Sequence, residues 1–252
     1  MVAEKEPLMK LVKIYKRFGP VVALNNVDFE VYPGECVGLV GDNGAGKSTL
    51  AKIMIGYYQP DRGEIYFEGR KVRFKSPRDA RQLGIEMVYQ DLALLDTMNI
   101  WRNFFLGKEL VKSVGPFKIL DKHAMKKLSA DFLTEIGIRV RSVDETVGVL
   151  SGGERQSIAI ARTVYFGAKL LILDEPTTAL SFKEAEQVLR YINDLKKKGL
   201  GIVVISHNIY HVYEVADRFT ILDKGVKVAD YLYKKDVEPQ DIIDIIVKKK
   251  FS

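Results

Sequence analysis

The stretch Gly41-Asp42-Asn43-Gly44-Ala45-Gly46-Lys47-Ser48-Thr49 fits the pattern G-x-x-x-x-G-K-[ST]. These residue types suit one task, holding a chain of phosphates. The glycines let the backbone curl so that several N–H groups turn toward phosphate oxygens. A helix opening at Lys47 adds the partial positive charge of its N-terminus. Lys47 brings a full charge to the β- and γ-phosphates, and the Ser48 hydroxyl is a ligand for Mg2+. Far along the chain, Asp174 and Glu175 follow the apolar run Leu170-Leu171-Ile172-Leu173. Acids at the C-terminal end of a buried parallel strand stand where α/β folds bind ligands. Asp174 can hold Mg2+, directly or through water, and Glu175 is placed to orient and activate an attacking water. Together these residues indicate a nucleotide hydrolase without saying which one.

Leu150-Ser151-Gly152-Gly153-Glu154-Arg155-Gln156 narrows the field. Ser151 and Glu154 form an S-x-x-E capping box for a helix expected to run to Tyr165. Capping leaves Gly152 and Gly153 unexplained, because two glycines at a helix start are costly unless something must approach the backbone closely. A phosphate at that helix N-terminus is such a group. On these residues the chain resembles the ABC-transporter ATPases, whose signature is LSGGQ-like. The resemblance covers nearly the whole length, with the phosphate loop, Gln90, the signature, Asp174-Glu175 and His207 in the family's order.

The resemblance implies an α/β fold: a P-loop NTPase core with a mixed, largely parallel sheet and an antiparallel β subdomain, plus an inserted helical subdomain. ATP and Mg2+ are the implied cofactors. Residues 41 and 43–49 are the implied phosphate cradle, with Lys47 also catalytic. Ser151, Gly152 and Gly153 would meet the γ-phosphate of ATP bound to a second copy, so the implied working form is a head-to-tail dimer. Gln90 matches the glutamine that senses Mg2+ and the water and links to the transmembrane partner. His207, in Ile205-Ser206-His207, matches the switch histidine at the γ-phosphate, and Phe18 matches the aromatic that stacks on adenine, with Tyr15 as a weaker substitute. Two positions depart from the family pattern. Ser181 stands where an aspartate is usual and opens a capping box with Glu184, starting a helix to about Lys198; Glu154 replaces the commoner glutamine.

The elements that must position these groups are legible as patterns. One domain is expected over 1–252, with the nucleotide-binding core at 1–90 and 152–252 and the helical subdomain at 91–151. Val22 to Val31, Cys36 to Val40, Leu170 to Leu173 and Gly201 to Ile205 read as strands, the last two buried on both faces. Hairpins are expected around Gly69 and Gly225, and a helix from Lys47 to Gly56. The stretch from about Asp91 to Leu150 reads as mostly helical, clearest at Lys122 to Ile136 with Ala124, Leu128, Phe132 and Ile136 on one face.

Composition bounds the partners. The chain has 252 residues, 47% hydrophobic and 29% charged, with a formal net charge of +6. No apolar run reaches the length of about 18 residues needed to span a bilayer. Met1 to Lys10 lacks the apolar stretch of a secretory signal. The lone Cys36 reads as a core residue, and Lys248, Lys249 and Lys250 as a solvated basic tail.

On the stretches Asn99 to Gly107, Ser206-His207-Asn208 and Ala216 to Leu222, the chain is similar within the family to single-domain sugar-uptake ATPases of the ribose, xylose and fructose type. That likeness implies a transmembrane permease docking on the helical subdomain, with a solute-binding protein as an indirect partner. It also implies a place on the cytoplasmic face of the cell membrane and no nucleic acid. Ala93-Leu94-Leu95 and the stretch from Trp101 to Leu106 are the expected apolar anchors. A rival of another class is a soluble ABC ATPase acting on nucleic acid or the ribosome; the tandem modules or long coiled-coil insertions of such proteins are not found here. A GTPase would carry an N-K-x-D motif, which the sequence lacks. A non-hydrolysing regulatory module would not keep Lys47, Asp174, Glu175 and His207 together.

Overall fold

The computed structural model describes residues 6–248. Lys249, Lys250 and the side chain of Lys248 lie outside what is described. Strand β1 (Met9–Phe18) pairs antiparallel with both β2 (Val21–Val31) and β4 (Arg62–Phe67), and β4 pairs with β5 (Arg70–Val72), giving a sheet in the order β2-β1-β4-β5. A second sheet takes β3 (Cys36–Val40), β6 (Ile85–Val88), β9 (Leu170–Asp174), β10 (Gly201–Ile205), β11 (Arg218–Asp223) and β12 (Val226–Tyr233) in the order β12-β11-β3-β10-β9-β6. All its pairings are parallel except the final hairpin β11–β12.

Side chains alternate across a strand, so a strand buried on both faces must be apolar throughout. In β3, β9 and β10 one alternating set (Cys36, Val40, Leu171, Leu173, Ile202, Val204) joins a core with the helices of the insert. The other set (Val37, Leu39, Leu170, Ile172, Val203, Ile205) packs toward the antiparallel sheet and helix α1 (Lys47–Met54). Cys36 sits fully buried in the first set, and burial pushes its thiol pKa up, as a packing residue requires. Arg218, 1% exposed, joins the two sheets: its Nε donates to Glu35 at 2.6 Å and its NH1 to Asp230 at 3.2 Å, while NH2 donates to the Glu30 carbonyl.

After β5 come α2 (Pro77–Gln82) and β6; then the insert, with α3 (Ile100–Phe105), strands β7 (Val111–Val114) and β8 (Phe117–Leu120), and α4 (Lys122–Glu135). Helices α5 (Gly152–Tyr165), α6 (Phe182–Lys197), α7 (Ile209–Val215) and α8 (Pro239–Lys248) complete the chain. Both expected capping boxes form. Ser151 Oγ accepts the Glu154 N–H at 3.3 Å while Glu154 accepts the Ser151 N–H at 2.8 Å. At α6, Glu184 accepts the Ser181 N–H at 3.0 Å and hydroxyl at 2.6 Å, and Ser181 Oγ accepts the Glu184 N–H at 3.4 Å.

Three expectations about the insert are corrected. Residues 111–120 form a β-hairpin rather than helix, turning at Gly115-Pro116 between two short strands. The buried seam of α4 is Met125, Ser129 and Leu133, one residue round from the expected face, and Leu128 is 38% exposed. Trp101, Phe104 and Phe105 are core, not anchors: all three are buried, and the Trp101 indole N–H donates to Asp144 at 3.1 Å.

Replacing Leu133 with Ala should therefore cost about 2–5 kcal/mol in urea denaturation, whereas Leu128→Ala should stay within about 0.5 kcal/mol. The Glu184 carboxyl is held at about 2, below its ordinary 4.5, first by the Ser181 hydroxyl and then by the N–H groups of Ser181 and Gly153. A carboxyl lowered on folding contributes stability above its unfolded value that disappears as pH falls through the folded one. The denaturation midpoints of the native chain and Glu184→Gln should thus differ most near neutral pH and converge as pH falls from 4.5 toward 2.

Candidate active site

The loop of residues 41–46 runs from the end of β3 into α1, so the parallel strand delivers it to the sheet's C-terminal edge. Gly46 caps α1 in the left-handed region at φ 101, and a Cβ there would lie 2.7 Å from the Ala23 carbonyl. Only glycine fits that approach to β2. Lys47 is buried, and its ammonium donates to the carbonyls of Gly41 at 2.8 Å and Asp42 at 2.9 Å, which holds the loop curled. Burial lowers the Lys47 pKa, opposed by the charges of Glu175, Asp42 and Asp174.

Strand β9 ends beside β10, with Asp174 in register with Ile205. The cavity above the loop is lined by Asn43 to Thr49, Gln90, Asp174 and Glu175. A connected cleft is lined by Gly41, Asp42, Asn43, Gln90, Glu175 and His207. Residues far apart in sequence thus converge as expected. His207 Nδ1 lies 2.8 Å from Glu175 Oε1, and the His207 backbone N–H donates to the same oxygen at 3.0 Å.

Burial raises the Asp174 carboxyl pKa and the neighbouring Glu175 charge raises it further. For Glu175 burial also pushes upward, but hydrogen bonds from His207, Ser206 and Thr178 outweigh it and the net shift is down. The Ser48 hydroxyl, the Asp174 carboxylate and the Gln90 amide oxygen are hard oxygen donors on one cavity. No cluster of three His, Cys, Asp or Glu occurs among the described residues. This set fits Mg2+, which takes few protein ligands and completes its shell with phosphate oxygens and water.

Phe18 is not among the residues lining the cavity. It packs edge-on to Tyr58 at 4.9 Å with the Lys16 ammonium 5.4 Å from its ring, while Val21 and Val22 of β2 line the cavity. Tyr15 faces the Arg62 guanidinium at 5.7 Å. Sequence reasoning passed over Ser206 and Thr178, whose hydroxyls bond Glu175; their places beside His207 and just after Glu175-Pro176 were the available signal.

The helix tip at Ser151 opens on a cleft lined by Gly152, Arg155, Gln156, Gln90, Glu175 and Thr178 among others. The two glycines also have close neighbours within the chain itself. A Cβ on Gly152 would lie 2.7 Å from the Leu180 side chain, and one on Gly153 2.9 Å from that of Glu184. The Gly153 N–H already donates to Glu184 Oε1 at 3.2 Å. Close packing against the first turn of α6 accounts for Gly153, whereas at Gly152 the near atom is the end of the flexible Leu180 side chain, which precedes α6.

Comparison with known proteins adds to this geometry. Residues 24–178 match the family model described as ABC transporter. The xylose/arabinose import ATP-binding protein XylG of Sulfolobus acidocaldarius is 47% identical over 95% of this chain and 93% of its own length. The fructose import ATP-binding protein FrcA of Rhizobium meliloti is 44% identical over 98% of this chain and 96% of its own length. Among solved structures, a dimeric ATP-binding cassette in a post-hydrolysis state bound to ADP and Pi superposes with a TM-score of 0.72 at 25% identity, covering 88% of this chain and 97% of that one. By matched family model and by full-length likeness, this chain belongs to the ABC transporter family.

Proposed function

We propose that this chain is the ATP-hydrolysing subunit of a monosaccharide importer and works as a head-to-tail pair sharing two ATP molecules. The observation that carries the reading is the convergence of Lys47, Asp174, Glu175, Gln90 and His207 on connected clefts at one sheet edge. The triphosphate lies along residues 41–49, where backbone N–H groups, the α1 N-terminus and Lys47 neutralise its charge. Ser48 and Asp174, with Gln90 nearby, would hold Mg2+, which would supply further neutralisation of the phosphate charge. Glu175 orients the attacking water and His207 contacts the γ-phosphate.

Ser151, Gly152 and Gly153 complete the site of a second copy, so γ-phosphate binding closes the pair and hydrolysis releases it. A dimeric solved cassette bound to ADP and Pi supports the presence of a second copy. Adenine stacks near β1 and β2, on Phe18 or on the exposed Val21 and Val22.

Residues 91–151 act as the helical subdomain between core segments 1–90 and 152–252. A groove lined by Tyr89, Leu92, Leu94, Leu106, Lys108, Arg162 and Phe166 lies between that insert and the core, and it suits a transmembrane permease subunit. No helix among the described residues is long and apolar enough to cross a membrane, so the spanning path comes from that partner. A solute-binding protein then acts indirectly, and the chain sits on the cytoplasmic face of the membrane. Import names on relatives at 47% and 44% identity favour sugar uptake over action on nucleic acid or the ribosome.

Glu175→Gln should lower ATP turnover by about 10²–10⁴-fold while trapping an ATP-dependent dimer on size-exclusion chromatography. A variant that stays monomeric with ATP would sink the shared-site model. Reconstituted with its permease and binding protein in lipid, the native chain should hydrolyse ATP faster when a monosaccharide is added, and indifference to every sugar tried would remove the cargo reading.

A further inference from the structure

We infer that Ser206 is a positioning residue for hydrolysis, its buried hydroxyl locking the Glu175 carboxylate toward the phosphate cavity. The inference rests on the reading of Glu175 as the group that orients the attacking water.

Glu175 has φ 52, in the left-handed region that side chains other than glycine seldom adopt. Such a conformation persists where its surroundings over-determine it. Here the backbone is held by Glu175 N–H donating to the Ile205 carbonyl at 2.8 Å. The carboxylate is held by two pairs of contacts. Oε1 meets the His207 backbone N–H and ring; Oε2 accepts from Ser206 at 2.7 Å and Thr178 at 2.9 Å.

These holders are not equivalent. Thr178 and His207 are exposed, so water can replace their bonds. Ser206 is 1% exposed. Its Oγ also accepts the Asn208 N–H at 3.1 Å, which leaves its single proton directed at Glu175. Its place is set by the sheet, because it follows β10 directly and β10 is locked in register with β9 through five residue pairs from Gly201–Leu170 to Ile205–Asp174. When the His207 ring turns to the γ-phosphate, Oε1 keeps the His207 backbone N–H and gains a lone pair free for the water, while Ser206 keeps Oε2 in place. The hydroxyl thus converts strand register into the direction of the catalytic carboxylate.

The test is steady-state ATP hydrolysis by the full chain carrying Ser206→Ala, Ser206→Cys or Ser206→Thr. Ser206→Ala should lower kcat about tenfold with KM for ATP unchanged. Ser206→Cys, which keeps the volume but donates weakly, should do the same, and Ser206→Thr should restore most of kcat. In a Glu175→Gln background, Ser206→Ala should bring little further loss. The inference is overturned by native kcat in Ser206→Ala and Ser206→Cys, by failure of Ser206→Thr to rescue, or by a full additional loss on top of Glu175→Gln. Native turnover by Glu175→Gln alone would overturn the underlying reading of Glu175, an outcome distinct from a silent Ser206→Ala beside an inactive Glu175→Gln.

Discussion

Parallel pairing of β3, β10 and β9 is the constraint on which the site depends. Parallel strands end at the same edge, so their C-terminal residues emerge side by side whatever their distance in sequence. Val40 leads into the phosphate loop, Asp174 closes β9, and Ser206 and His207 follow β10. The register is enforced from both faces, because slipping one strand by a residue would exchange the two buried sets of side chains between differently shaped cores. Chemistry at the edge is as well placed as the packing below it.

The groups at that edge oppose one another electrostatically. Lys47 pays a desolvation cost that the acids around it reduce, and burial together with the Glu175 charge raises the cost of ionising Asp174. Glu175 is brought back down by the hydroxyl and imidazole groups around it. An incoming phosphate and its cation alter every one of these terms together, which suits a site whose geometry must respond to the presence of the γ-phosphate.

Much of this was legible in the sequence, for physical reasons that differ by residue. The phosphate loop, the two capping boxes and the buried strands obey local rules, in which a few neighbours decide the outcome. The insert was less legible because its amphipathic pattern is weak: Ser129 lies on the buried side of α4 and Leu128 on the exposed side, so hydropathy pointed one residue away from the true seam. The 111–120 hairpin carries a Gly-Pro turn that a helical reading of the region passed over. The packing of Gly153 on Glu184 was not legible because that neighbour comes from a helix about thirty residues on, and no local pattern reports a tertiary contact of that kind.

The Arg218 guanidinium has a mechanical consequence. Its partners Glu30, Glu35 and Asp230 come from β2, from the turn before β3 and from β12, so sliding one sheet past the other would strand a buried charge. The two sheets are therefore riveted into a single block, and any hinge this molecule uses has to lie in the irregular connections that join the insert to that block.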